Sequence, residues 1–547
     1  MRYFKYLIII LILFSTHTTY AISINYGNIN GWNSKDIFIQ YYGVNTKTNY
    51  LCSLADFSCD QKNNISLGKP GSIAIPSKTT KILSKIKADY ITLSPSKNIL
   101  AYYLGTLNKT NGTRTFVFEN IKNKKTYTIS KQLSYWDSIT DARKLFDFIP
   151  NSNQVVYVDD KSGSMQLYIV EASGNQTNNP RIKELKSNTL NINNFIVTDS
   201  NTIYYIANTK ADPYKWSLYK YNISKQAEIK IDSGIAAHTG PLYKIGKYIA
   251  FYNLEQKGYG PAMYDTKSGI VKKFNIPGIQ KTANLDNEHE IKIGDLNGII
   301  MTPSDMSVPH PLLVWLHGGP YRQAGLGYHS FHSYGIYDEI LQKLSGSGVI
   351  VLKLDYRGSL GFGTEYSERL KGEVGRGDVN DVINSIDNIK SRYNVNDVYM
   401  AGNSYGGYLS LKTLAEHPEK FRSIMSINGV TDWESLLIKM KTSIFNVQFG
   451  GLPDTNNRSQ YDQASIINKI RNIGNQKIFL VQGQSDRTIP PWQADLLYGK
   501  LKDAGKNVTF IPYAGEDHVF KYKKNIDDLC IQMFNLVNVN SNGACTE

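Results

Sequence analysis

The sequence predicts a two-part chain: an N-terminal all-β unit of repeated short strands, then an α/β unit whose parallel sheet carries helices on both faces. Three observations lead there. A strand theme recurs between residues 36 and 285, and after about residue 290 apolar strands alternate with helical segments. One serine also stands between glycines at a strand-to-helix junction, in "GNSYG" at 402–406. At 547 residues the chain is too long for a single core, which agrees with two or more domains.

The first 21 residues have a layout of their own. Arg2 and Lys5 precede an apolar run over 6–14, and small polar residues follow up to Ala21. That is the pattern of a signal peptide (1–21), with export to the periplasm or outside the cell and no stable membrane insertion once it is cut. An uncleaved anchor is the alternative, although the apolar run is short for a bilayer. The four cysteines agree with export. Cys52 and Cys59, then Cys530 and Cys545, form two locally spaced pairs suited to disulfide loops. A zinc site is the competing reading, but neither pair has two-residue spacing or a nearby histidine.

The all-β unit is placed at 22–290. Its theme is a turn followed by an apolar strand with aromatic residues, in "IFIQYYGV", "SPSKNILAYYLG", "PNSNQVVYVDD", "DSNTIYYIAN" and "IGKYIAFYNL". A spacing of roughly 47 to 61 residues suits one blade of a β-propeller, against the alternative of a sandwich. The α/β unit is placed at 291–547. Strands are predicted at "PLLVWLHGG", "GVIVLKLDYRG", "DVYMAG", "FRSIMSINGV", "KIFLVQGQSD" and "NVTFIPYAGEDH", with helices near 336–345, 378–392, 405–416 and 491–504 and from about 521. Such a sheet puts its chemistry at the C-terminal ends of its strands.

Composition excludes little else. The chain is 41% hydrophobic and 20% charged, ordinary for a globular protein. Its formal charge of +14 comes from lysines scattered along the whole length, without a basic arm or helix, so no nucleic-acid partner is expected.

Ser404 lies between a predicted strand and helix, with Gly402 and Gly406 two places either side, as a G-x-S-x-G elbow requires. A serine hydroxyl attacks carbonyls only when a base takes its proton. Two histidines follow it: His417 at the end of the next helix, and His518 in a loop after a strand, where such a base belongs. Asp486 directly follows an apolar strand and is the expected orienting acid, with Asp432 as runner-up. The oxyanion site needs two donors, the backbone N–H of Tyr405 and one from the "HGGP" loop at 317–320. Arg322, just beyond, is a candidate to bind a substrate carbonyl or carboxylate.

With these motifs in view, residues 290–540 resemble the catalytic domain of the prolyl oligopeptidase family of serine peptidases, nearest its acylaminoacyl-peptidase and dipeptidyl-peptidase branches. The matching runs are "HGGP", "DYRGSLGFG", "GDVNDV", "GNSYGGY", "NGVTDW", "FGGLP", "GQSDRTIPPWQ" and "GEDHVF", in the family's order. The resemblance implies a C-terminal α/β-hydrolase fold with an N-terminal propeller-like domain over the active site. It implies Ser404 as nucleophile, Asp486 as acid and His518 as base, with Gly319 joining Tyr405 at the oxyanion site. Val430 and Trp433 would line the pocket for the residue before the scissile bond, ordinary core packing being the other reading. Two departures stand out. Asp517 replaces the commoner glycine before His518, and no paired-glutamate signature for a free amino terminus is recognisable.

The expectation is an exported serine peptidase that hydrolyses short peptides through an acyl-enzyme intermediate, with no metal or organic cofactor. An esterase or lipase with the same triad is the alternative, and homo-oligomerisation stays open.

Overall fold

In the computed structural model, the described residues are 25–32, 36–43, 46–62, 90–107, 112–132, 145–172, 182–231, 238–255, 258–274, 287–329, 331–440 and 445–545. The expected signal segment 1–21 lies outside them.

The N-terminal unit is a succession of five four-stranded antiparallel groups among the described residues, spanning 25–61, 90–132, 146–184, 191–230 and 238–273, of which the first and fifth form one eight-stranded sheet. The recurring aromatic theme is the second strand of each group: Asp36–Gly43, Ile99–Leu107, Gln154–Asp159, Thr202–Asn208 and Tyr248–Glu255. Where its side chains are described this strand is nearly all buried, as in Gln154–Asp159 and Thr202–Asn208. That burial is why its aromatic and β-branched residues repeat. The first and fifth groups join through a short parallel pairing, Asn25 with Gly258 and Tyr26 with Tyr259, so the two ends of the unit lie side by side.

The α/β unit is built on an eight-stranded sheet. Its strands are β1 (Glu288–Ile293), β2 (Leu296–Met301), β3 (His310–Leu316), β4 (Ile350–Asp355), β5 (Val395–Asn403), β6 (Ser423–Ile427), β7 (Lys477–Gly483) and β8 (Val508–Tyr513). Their spatial order is β1-β2-β4-β3-β5-β6-β7-β8. The first two pairings are antiparallel and the rest parallel. The expected boundary at 290/291 falls inside β1.

The helices are α1 (His332–Gly346), α2 (Thr364–Glu368), α3 (Gly377–Arg392), α4 (Tyr405–Glu416), α5 (Trp433–Met440), α6 (Arg458–Ala464), α7 (Trp492–Asp503) and α8 (Lys523–Leu536). Two cores lie on opposite faces of the sheet. One packs Leu313, Val351 and Phe479 against α1 and α8, the other packs Leu312, Leu352 and Leu480 against α3, α4 and α7. Coverage on both faces explains why β3 to β7 read as nearly unbroken apolar runs. β8, at the sheet edge, is only partly buried.

Two disulfides close, Cys52–Cys59 and Cys530–Cys545. All four cysteines belong to the same buried cluster as the α1 and α8 face. Among the described residues no helix is long and apolar enough to cross a membrane.

Candidate active site

The junction of β5 and α4 is a sharp elbow. Ser404 has φ 56° and ψ −119°, a strained conformation for a residue with a side chain. It is held because its N–H donates to Ile427 O at 2.8 Å and its carbonyl accepts from Tyr408 N–H at 3.0 Å. Its neighbours must be glycine. A Cβ at Gly402 would lie 2.5 Å from the Gly406 carbonyl carbon, and one at Gly406 would run into the Leu316 carbonyl. The elbow and the end of β3 therefore touch main chain to main chain, and Ser404, 6% exposed, stands at the rim of the sheet.

Asp486 and His518 meet at the same rim, from the loops after β7 and β8. His518 Nδ1 and Asp486 Oδ2 are 2.7 Å apart, and the other carboxylate oxygen accepts from Thr488 N–H at 2.8 Å and Ile489 N–H at 2.9 Å. A carboxylate only accepts, so Nδ1 is the donor in this pair, and in a neutral imidazole Nε2 is then the acceptor. Asp432, the runner-up, instead accepts from Ser435 N–H at 3.1 Å in the first turn of α5. Asn428 ties the rim together: it donates to the His518 carbonyl at 3.2 Å and accepts from Gly483 N–H at 2.8 Å. Asp517 Oδ1 accepts from both His518 N–H (2.8 Å) and Arg487 N–H (3.2 Å), joining the loop of the acid to the loop of the base.

Across the rim is the segment after β3. A Cβ on Gly318 would sit 3.0 Å from Ser404 Cβ and 3.0 Å from the Tyr334 hydroxyl, so this loop lies directly against the elbow. Gly319 has φ 122°, where a side chain is strained, and a Cβ there would lie 2.8 Å from Tyr321 N. His317 is turned inward, with Nδ1 2.9 Å from Gly318 O, Nε2 3.0 Å from Ser359 Oγ, and its ring stacked on Tyr356. Tyr405 opens α4, whose first-turn amides have no partners within the helix. Its hydroxyl reaches back into the core to Asp378 at 2.6 Å. Burial pushes Asp378 up to about 6, although the Tyr405 hydroxyl and the Val379 N–H pull the other way.

The remaining sequence candidates sit differently. Arg322 donates from Nη1 to Tyr321 O at 2.9 Å and lies over Phe331, while its buried Nε has no hydrogen-bond partner among the described residues. Val430 and Trp433 are both 0% exposed. The indole is walled in by Tyr405, Tyr408, Phe445 and Phe449, so in this structure both residues are core.

Several supporting residues had a faint or absent sequence signal. Lys353 interrupts the apolar run of β4, which was its only hint. It is buried between Glu288 (2.6 Å) and Asp338 (3.2 Å) and donates to Gly325 O. Asp338 also accepts from His329 N–H at 2.7 Å, so this cluster pins the loop that continues from "HGGP". Burial pushes the His329 ring down to about 3, with the Arg322 charge acting the same way. Gln493 takes the Thr431 and Asp432 N–H groups on Oε1 and fixes the turn into α5. Among the described residues no group of three or more His, Cys, Asp or Glu is placed to hold a metal ion.

Comparison with known proteins agrees with this architecture. Residues 336–540 match the model of the prolyl oligopeptidase family. Over 225 residues the chain is 29% identical to acylamino-acid-releasing enzyme 1 of Oryza sativa subsp. japonica, covering 39% of this chain and 28% of that protein. It is 28% identical over 261 residues to the acylamino-acid-releasing enzyme of Rattus norvegicus, covering 44% and 34%. The chain thus aligns with about a third of the length of these curated relatives. Among solved structures, a puromycin-hydrolyzing peptidase of Mycobacterium tuberculosis superposes with TM-score 0.68 at 14% identity, covering 94% of this chain and 79% of that one. The fold is therefore an N-terminal β domain followed by an α/β-hydrolase domain, and the chain carries a prolyl oligopeptidase family domain.

Proposed function

We propose that this chain is an exported serine peptidase that hydrolyses short peptides through a Ser404–Asp486–His518 triad and an acyl-enzyme intermediate. One observation carries the reading: the 2.7 Å contact of Asp486 with His518 Nδ1, at the sheet rim where the strained elbow presents Ser404. His518 Nε2 takes the Ser404 proton as Oγ attacks the carbonyl, then gives it to the leaving amine, and Asp486 stabilises the imidazolium in between. Water repeats the sequence on the acyl-enzyme. The developing oxyanion is met by the N–H groups of Tyr405 and Gly319. The inward turn of His317 supports backbone donation, and losing one such donor costs about 3 kcal/mol of transition-state stabilisation. Arg322, whose buried Nε has no hydrogen-bond partner among the described residues, is the group we assign to a substrate carbonyl or carboxylate.

The β unit packs on loops near Ser404, Trp216 bonding Gln323 and Asn208 bonding Gly361, and this supports short peptides over folded proteins as substrates. The names of the aligned relatives, acylamino-acid-releasing enzymes, point to N-terminally blocked peptides as the first substrates to try. Two disulfides support an oxidising compartment.

A fluorophosphonate probe tests the reading. Labelling of the wild type and loss of labelling in Ser404→Ala is the expected result, with peptide turnover falling by roughly 10⁴ to 10⁶. Near-normal turnover in His518→Ala would remove the assigned base. Turnover of acyl esters without peptide amides would favour an esterase.

A further inference from the structure

Tyr214 belongs to the β unit, in the turn between strands Thr202–Asn208 and Ser217–Asn222. Its side chain, however, is planted in the α/β unit. The ring clusters with Ile299, Ala324 and Leu326 and meets Phe362 edge-on at 5.6 Å. Its hydroxyl donates to Asp355 Oδ2.

Asp355 ends β4 and is 0% exposed. Its other carboxylate oxygen accepts from Ala324 N–H at 2.8 Å and lies 3.3 Å from His317 Nε2. One buried carboxylate thus gathers a hydroxyl from the β unit and both ends of the segment 317–324, which carries Gly318 and Gly319. The grip is broader than one bond. Trp216 Nε1 donates to Gln323 Oε1 at 2.9 Å, Gln323 Nε2 donates to Pro213 O at 3.0 Å, and Asn208 Nδ2 donates to Gly361 O at 2.8 Å.

We propose that Tyr214 is a positioning residue for the oxyanion loop: seated from the β unit onto Asp355, its hydroxyl fixes the segment that presents Gly319 to the reacting carbonyl. The inference rests on the proposed role of Gly319. A buried carboxylate that loses one donor leans more heavily on the one left to it, here the N–H of Ala324, and the His317 ring lies 3.3 Å from the same oxygen. A displacement on the order of 1 Å at such a loop is enough to cost about 100-fold in rate. A β unit that merely covered the site would need no buried hydroxyl at this point.

The test uses the full chain. Tyr214→Phe keeps the ring packing and deletes only the hydroxyl, and Trp216→Phe breaks the neighbouring bond to Gln323. With a chromogenic peptide amide, each variant is expected to lose about 10- to 100-fold in kcat while KM stays within about twofold. Combining Tyr214→Phe with Asp355→Asn should cost less than the sum of the two. A Tyr214→Phe enzyme with wild-type kcat, or with its loss entirely in KM, overturns the proposal. Should that variant not fold, unchanged kcat in Trp216→Phe overturns it instead. If wild type labels with the fluorophosphonate and cleaves peptides while both variants match it, only the positioning role fails. A wild type that does neither sinks the peptidase reading and this inference together.

Discussion

Asp517 shows what a single side chain adds at the rim. Where the family commonly has glycine, this chain places a carboxylate that takes the N–H of Arg487 and of His518 on one oxygen. The loop of the acid and the loop of the base are joined by it. Asp517→Gly removes the joint and frees the backbone at the base, so peptide turnover should fall several-fold, whereas Asp517→Asn keeps an accepting oxygen and should retain most of the activity. Steady-state kinetics of the pair check this, and equal activity in both variants would show that the joint contributes nothing. The sequence showed that Asp517 was unusual but not what it bonds, because an adjacent residue's direction depends on loop backbone that no periodicity encodes. The placement of Ser404 at the elbow and of Asp486 beside His518 was legible because each follows a segment that reads as a strand. Val430 and Trp433 were not, since a pocket-lining residue and a core residue share the same composition.

At the scale of the element, α4 is anchored through a side chain of its first turn. Tyr405 sends its hydroxyl to Asp378 in the first turn of α3, linking two helices that flank the sheet. The fully buried Asp378 titrates near 6 in the folded protein against 3.8 ordinarily. The native state therefore holds this proton more tightly than the unfolded chain does. Its contribution to stability is fully present below about pH 4, is lost as pH rises through about 6, and is level above, with a span of up to about 3 kcal/mol. Asp378→Asn cannot titrate. Relative to wild type its Tm should therefore be more favourable at pH 7.5 than at pH 4, as thermal melts at the two pH values would show. A difference between the two proteins that does not change with pH would mean that the carboxyl does not titrate as stated. The "GDVNDV" run was visible in the sequence, but its partner 27 residues on was not, because helix-to-helix pairing is a tertiary fact.

For the whole molecule, the two disulfides secure one core from both units. Cys52–Cys59 lies in the first β sheet and Cys530–Cys545 joins α8 to the residues after it, yet all four cysteines pack in the cluster beneath α1 and α8. The second bridge closes a 15-residue separation, which by chain entropy is worth about 3 kcal/mol. Cys530→Ser with Cys545→Ser should lower Tm by several degrees, and a reducing agent should lower the Tm of wild type by more than that of the double variant, which keeps Cys52–Cys59. Differential scanning calorimetry reads both, and an unchanged Tm would assign the stabilisation elsewhere. The two-part architecture was legible because strand-only and strand-helix patterns differ in period. The count of five four-stranded groups was not, because spacing between repeats varies with loop length, and only the pairing of strands separates one group from the next.

The backbone contact between the end of β3 and the elbow has an evolutionary consequence. With Gly402 and Gly406 pressed against neighbouring main chain, nothing larger than hydrogen fits at either position, and Gly318 is tight against Ser404 Cβ. The approach of the elbow to the end of β3 is thereby held main chain to main chain, and a side chain at either position would force the two apart. Under the proposed function, changes in substrate preference are then expected in the surrounding segments, chiefly those where the two units meet.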